Sequence, residues 1–452
     1  MAKSVFKGRK IIFLFMLIFI SFPESVLKND FPTFRVVLDP GHGGRYMTPV
    51  KKHGDRYDTI SQTYLDGYND GAAGWGLSEE RLMYSIARKT ESLLLLCSDS
   101  GDFNRFARIL KKYSSDPPER IRIITGMSRE RSLSRKERHA LDDPNAAYRL
   151  FDYPGTDGKM QKGRISRIND FRPHLVVSLH CAGSAPVEYR GMNPVLAAPY
   201  DFMHKGFCYL KGERKDRTFF HKSGYRHWFC ESVRRSEFRW FLNDTSLYFT
   251  GFPLRKDLSV KEDCFTGYRY NMVRWKYRDT GSWEGIARFH PPRSKYSSDY
   301  SKFVPYGGFW RREKSIYESY RRDNGEEGFG GDNAYASYEI IRYILYSLFI
   351  EGYSHPGLVP GKPYVSVWIM PIHVNAINAF LELGYFSRSK DRYILKKKQD
   401  RIAEGIAVGI YSLFAGMRPK TESFRYRPRG KRIDLMKYNI TTDKSYFDAV
   451  SD

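Results

Sequence analysis

The stretch Val36-Val37-Leu38-Asp39-Pro40-Gly41-His42-Gly43-Gly44 constrains the chain more than any other. Its first half is apolar and β-branched, the pattern of a buried strand. Its second half can neither continue a strand nor start a helix. A histidine is therefore delivered on a glycine-lined turn at the tip of a buried strand. In an open α/β sheet that edge is where ligands bind. A structural histidine in a tight turn would look the same, so the weight rests on three further places.

Pro173 to His180 reads as a second buried strand, and it too ends in a histidine followed by small residues, Cys181, Ala182 and Gly183. Between the two strands, Ser78 is positioned to cap a helix from Glu79 to about Leu96, with Leu82, Ile86, Leu93 and Leu96 as its apolar stripe. Glu79 and Glu80 fall in its first turn, where carboxylates also simply complement the helix dipole. Tyr364–Met370 and Ala379–Phe386 read as further strands. The second holds Glu382, a carboxylate that is costly to bury inside such an apolar run unless it faces solvent or has a partner that needs it. Helices are expected near Phe103–Tyr113 and Lys162–Phe171, and one long amphipathic helix from Arg392 to Phe414. Arg129 to Ala147 is charged and expected at the surface.

His42, Glu79 and His180 together supply two imidazoles and one carboxylate. With a fourth position left to water, that is the ligand set of a catalytic zinc. Glu382, near a strand end, suits a general base. The reaction class this combination supports is hydrolysis of an amide. Cys181 is a tempting thiol, but neighbouring strand residues point to opposite faces, so it and His180 are not expected to meet.

These motifs resemble the zinc-dependent N-acetylmuramoyl-L-alanine amidases of the amidase-3 type, which cleave bacterial peptidoglycan. Asp39 to Gly44 match the opening Asp-Pro-Gly-His-Gly-Gly of that family, and Gly71 to Gly74 with Gly76 to Glu79 match its Gly-Ala-x-Gly and Gly-x-x-Glu. Arg164, Asn169, Ser178 and His180 match a helix and strand ending Ser-x-His. Glu382, Gly384, Tyr385, Phe386 and Ser387 match its C-terminal Glu-x-Gly-Phe/Tyr-x-Ser. The resemblance implies that His42, Glu79 and His180 hold zinc and that Glu382 is catalytic. It implies peptidoglycan as substrate and an α/β fold: a three-layer, open, mostly parallel sheet with flanking helices, interrupted by a large aromatic and basic insertion. The departures are Glu80 at a usual lysine position, Ala182 and Arg388 at frequent asparagines, and an unusually long stretch between His180 and Glu382. They bear on substrate fit and regulation. The alternative is a non-catalytic or differently specific peptidoglycan-binding protein on the same fold.

The remaining sequence sets address and organisation. Lys3, Lys7, Arg9 and Lys10 precede an apolar run from Ile11 to Phe22, the pattern of a secretory signal. No good cleavage site follows, so residues 1–25 are expected as a signal peptide or an N-terminal membrane anchor, and the chain as periplasmic or secreted. Residues 34–198 are expected as the first part of the catalytic domain, 199–334 as an inserted subdomain or cap, 335–416 as its second part, and 417–452 as a basic polar tail. The aromatics of the insertion could stack on sugars or form its own core. The insertion could also cover the metal until an activator protein displaces it. A formal net charge of +24 favours an anionic partner. No nucleic-acid-binding signature is present, which leaves an acidic wall polymer or a lipid surface. Five cysteines are too few for a disulfide scaffold, with one bridge plausible among Cys208, Cys230 and Cys264.

Overall fold

The computed structural model describes residues 31–43, 57–58, 63–64, 71–98, 102–129, 149–150, 153–154, 160–184, 191–198, 200–215, 235–250, 253–261, 330–353, 359–361, 363–366, 370–372, 374, 376–420 and 423–436. The 1–25 segment, most of the 199–334 insertion, Gly44, Cys230 and Cys264 lie outside them.

Six strands form one sheet: β1 (Thr33–Pro40), β2 (Arg122–Met127), β3 (Leu175–Ala182), β4 (Asn193–Ala197), β5 (Tyr364–Ser366) and β6 (Ile377–Tyr385). Their spatial order is β5-β4-β6-β3-β1-β2. β2, β1, β3 and β6 run parallel. β4 is antiparallel to β6, and β5 lies parallel to β4. The helices in chain order are α1 (Glu79–Leu94), α2 (Phe103–Tyr113), α3 (Arg164–Phe171), α4 (Tyr200–Leu210), α5 (Arg235–Thr250), α6 (Gly330–Ile350), α7 (Ser389–Lys397) and α8 (Gln399–Ala415).

Strands buried on both faces read as continuous apolar runs because helices cover each side. Alternate residues of β1, β3 and β6 sort accordingly. Val36, Leu38, Val177, Leu179, Ala379 and Leu381 join the large core beneath α1, α6 and α8. Val37 and Val176 face the other way, onto Ile165 and Ile168 of α3. The result is three layers, with the mostly parallel sheet in the middle. β1 leads to β2 on one side of itself and the chain then returns to β3 on the other. The strand order therefore reverses between β1 and β3, and the crevice beyond their carboxyl ends is the expected ligand position.

Three local expectations change. Ser78 occupies the N-cap position of α1 in extended backbone but makes no side-chain cap. It belongs instead to a short hairpin, Ala73–Gly74 against Leu77–Ser78, and the Glu79 amide is satisfied by the Ala72 carbonyl at 2.9 Å. The long C-terminal helix is two helices, α7 and α8, separated at Lys398 (φ −120°, ψ 24°). The apolar stripe runs through both, so periodicity could not reveal a one-residue break. Arg129, expected at the surface, is buried beside Glu80 because the Glu80 carboxylate supplies its counter-charge.

Within the insertion, α4 and α5 are described. Phe238, Phe241 and Leu242 are buried there, and Tyr209 meets Phe238 edge-on at 5.7 Å, so these aromatics act as core. Cys208 is half-buried on α4. Of the 417–452 stretch read from sequence as polar tail, residues 437–452 lie outside the described residues; the described residues 417–420 and 423–436 form no strand or α-helix but dock on the helical layer. Met417 and Ile433 are buried, Phe424 stacks on Phe349, and the Gly430 amide donates to Glu339. A few apolar side chains and backbone pairs suffice for that, and neither leaves a periodic signal.

Candidate metal centre

The carboxyl edges of β1, β3 and β6 bring His42, His180 and Glu382 together, and the start of α1 adds Glu79. His42 follows β1 in the left-handed region, φ 57°, where a non-glycine residue is uncommon. Arg164 holds that turn, donating to the His42 carbonyl at 2.7 Å and to the Asp39 carboxylate at 2.9 Å. Asp39 is fully buried and also accepts from the Ser128 hydroxyl. Burial alone would raise its pKa; Arg164, then Ser128 and His180, outweigh burial and hold the carboxyl below its usual value.

Two glycines are required by close approach. A Cβ on Gly41 would lie 2.4 Å from the His180 ring, and one on Gly71, already at φ +85°, would lie 2.8 Å from His42 and 2.9 Å from Glu79. Any side chain at either position would press on His180 or on His42 and Glu79.

The Glu79 carboxylate is fixed at both oxygens. Oε2 accepts the Ala72 amide at 2.7 Å, and Oε1 accepts the Cys181 amide at 3.1 Å. Oε1 also lies 3.0 Å from His180 Nδ1 and 3.5 Å from His42 Nε2. Burial pushes the Glu79 carboxyl up, but His42, then His180 and the Ala72 amide, bring it below its ordinary value. The His42 and His180 rings meet edge-on at 4.9 Å, and Phe380 stacks flat on His180 at 4.4 Å. Among the described residues, His42, Glu79 and His180 form a group whose ligand atoms all lie within 4.8 Å of one another. Tetrahedral ligands ~2.0–2.1 Å from one ion stand about 3.3–3.5 Å apart. The His180–Glu79 and His42–Glu79 separations of 3.0 and 3.5 Å fit that spacing with small adjustment.

Glu382 is in register with His180 across the parallel β3–β6 pair and so shares its face. Its Oε2 is buried and has no hydrogen-bond partner among the described residues. Burial, and then the Glu79 carboxylate, push its pKa well up. A cation among the three ligands would reverse the second contribution, because a bound metal is the largest local charge in such a site. Cys181 points into the opposite core, as strand alternation requires, and burial raises its thiol pKa.

All four residues singled out in the sequence thus converge on one edge. Three supporting groups were not singled out for a role. Asp39 carried a signal, a carboxylate at the end of an apolar strand. Arg164 carried only its place in a motif. Arg129 carried none, since it opens a charged stretch. It donates to the Glu80 carboxylate at 2.8 Å, to the Glu80 carbonyl at 2.7 Å and to the Pro40 carbonyl at 3.2 Å.

No protein-family model matches the sequence, and no curated protein matches it. Solved structures with partial similarity include an N-acetylmuramyl-L-alanine amidase from Mycobacterium smegmatis, at 13% identity and TM-score 0.32, covering 83% of this chain and 94% of that one. An N-acetylmuramoyl-L-alanine amidase of Nostoc punctiforme matches at 11% identity and TM-score 0.30, over 83% and 94% of the two chains. An amidase from Clostridioides difficile, solved in complex with the lipoprotein GerS, matches at 11% and 0.28, over 83% and 96%.

Proposed function

We propose that this protein is a zinc-dependent N-acetylmuramoyl-L-alanine amidase, hydrolysing the bond between the lactyl group of muramic acid and L-alanine in peptidoglycan. The observation that carries the reading is the cluster of His42, Glu79 and His180 with the unpartnered Glu382 Oε2 on the same strand edge. The ordered motifs described above supply the substrate class.

A bound zinc would lower the pKa of its water toward ~7 and polarise the amide carbonyl. The chain's own residues do the rest. Glu79 stays fixed because two backbone amides hold its oxygens. Phe380 sets the plane of the His180 ring. Glu382 accepts a proton from the attacking water at Oε2 and returns it to the leaving nitrogen. The water oxygen bonds the lactyl carbonyl carbon and the C–N bond breaks. The products are a lactyl carboxylate and a peptide with a free L-alanine amine.

Export through the 1–25 segment would put the enzyme in the periplasm or outside the cell, where its substrate lies. Among the described residues no helix is long and apolar enough to cross a membrane. The 199–334 insertion is assigned to capping the site, with an activator protein as the partner that relieves it.

The test is incubation of the zinc-loaded protein with purified peptidoglycan beside Glu382→Ala. Stem peptides beginning with L-alanine and peptide-free glycan chains, absent in the control, are expected by mass spectrometry. Zinc-loaded protein that releases neither product, both intact and with the insertion removed, overturns the reading.

A further inference from the structure

Trp75 is 62% exposed, the largest exposed aromatic among the described residues, and it lies at the tip of the hairpin between Ala72 and Glu79. Its hairpin is bounded by the site at both ends. Gly71 and Ala72 touch Glu79 and His42 at the start, and Glu79 itself follows Ser78 at the end. Each arm is two residues long, so the tip stands only about 7 Å beyond the carboxylate's anchor.

The tip is built at a cost. Trp75 has φ 51° and Gly76 φ 72°, both in the left-handed region, as in the tight hairpin turn that normally takes Asn-Gly or Asp-Gly. A bulky residue at positive φ is an outlier, and such strain concentrates where a side chain serves a ligand. The indole is also held. The Arg392 guanidinium lies over one face, 5.0 Å from the ring centroid, and the same guanidinium donates to the Phe386 carbonyl just beyond β6. One face of the ring is therefore backed by a tethered cation, and the exposed surface remains for a ligand.

We propose that Trp75 is a stacking platform for a pyranose ring of the substrate glycan, placed beside the amide to be cut. This rests on the proposed function only in naming the sugar as part of the substrate. A flat aromatic face matches the axial C–H face of a sugar, and burying both removes apolar area from water. The ring next to the scissile amide is the muramoyl residue, a few bonds from the carbonyl. A protein partner docking on the same indole would need no sugar affinity, and that separates the two.

The probe is a peptide-free disaccharide or tetrasaccharide of N-acetylglucosamine and N-acetylmuramic acid, titrated into the zinc-loaded protein. Binding is read by calorimetry and by the indole N–H resonance of Trp75. The expected results are a shift of that resonance and about tenfold weaker binding for Trp75→Ala, largely restored in Trp75→Phe, with zinc content unchanged. On peptidoglycan, KM should rise by a similar factor while kcat stays within about twofold. Oligosaccharide that does not move the indole resonance, or that binds Trp75→Ala as well as the original, overturns the proposal, even where amide cleavage proceeds. Protein that binds the sugar through Trp75 but cleaves no amide, both intact and with the insertion removed, upholds the platform and overturns the amidase reading instead. If Trp75→Ala does not fold, the resonance shift in the unsubstituted protein decides.

Discussion

Arg164 grips His42 by its backbone, donating to the carbonyl oxygen at 2.7 Å while its other nitrogen pairs with Asp39. Arg129 makes the matching connection on the other side, from Glu80 at the start of α1 to Pro40 at the end of β1. Two buried arginines thus tie together the chain segments that carry His42 and Glu79. The imidazole and carboxylate positions depend on charges that hold the backbone around them.

Replacing Arg164 by Gln should weaken zinc binding about 10–100-fold, the usual range when a group supporting a ligand is lost. Arg164→Lys should recover only part, because a single ammonium cannot serve the His42 carbonyl and Asp39 in a fixed fork. Competition against a chelator of known affinity measures this. An unchanged dissociation constant would show that the turn keeps its shape without the guanidinium.

The Glu80–Arg129 pair is almost wholly out of water, with side chains 6% and 2% exposed. Glu80→Leu alone removes the carboxylate that pairs with the buried Arg129 guanidinium and should cost about 3–5 kcal/mol. The double change Glu80→Leu with Arg129→Met should cost much less than the sum of the singles, since the two opposite charges leave together. Urea unfolding of the four proteins gives the coupling directly, and additive losses would contradict it.

Glu382→Gln should lower kcat by about 10²–10⁴, the span assigned to a lost general base. Zinc content should not change, because Glu382 is not among the three clustered residues that could hold a metal. Resistance to unfolding should hold or rise, since a neutral amide replaces a carboxylate that burial disfavours. Loss of zinc in this variant would move Glu382 into the ligand set.

Chelation should abolish hydrolysis and lower the melting temperature. Restoring free zinc to 100 times its dissociation constant should return about 2.7 kcal/mol of stability. Calorimetry with and without metal tests this at the same protein concentration. A melting temperature indifferent to zinc would argue against His42, Glu79 and His180 as its site.

Asp391 offers a pH dependence away from the metal. Burial raises its pKa to about 6, only partly offset by the Tyr385 amide, which donates to it at 3.1 Å, and by Arg388. Below its unfolded value of 3.8 both states are protonated and the group costs nothing. As pH rises toward about 6 the unfolded chain ionises first, so stability falls, and above that it levels off. The loss is on the order of 1–3 kcal/mol. Asp391→Asn keeps an acceptor for Tyr385 and should flatten the profile between these pH values. Unfolding free energies at pH 4 and pH 7.5 that fall equally in both proteins would rule Asp391 out as the cause.

What the sequence determined by itself is the sheet's central strands and the residues at their tips. Continuous apolar runs ending in Pro-Gly-His-Gly and in His-Cys-Ala-Gly leave few alternatives, because strand burial and turn chemistry are local properties. The same locality marked α1, α2 and α3 and placed Cys181 away from His180. Tertiary structure alone decided that β1 and β3 are neighbours, so that two histidines far apart in the chain stand 4.9 Å apart. It decided that Arg129 leaves the surface, that the stripe from Arg392 to Phe414 breaks at Lys398, and that residues 417–420 and 423–436 dock. It also set Trp75 on a strained turn under Arg392. These rest on a strand, a charge, a ring or an apolar side chain finding its partner across long sequence separations, and no periodicity in the chain encodes such pairings.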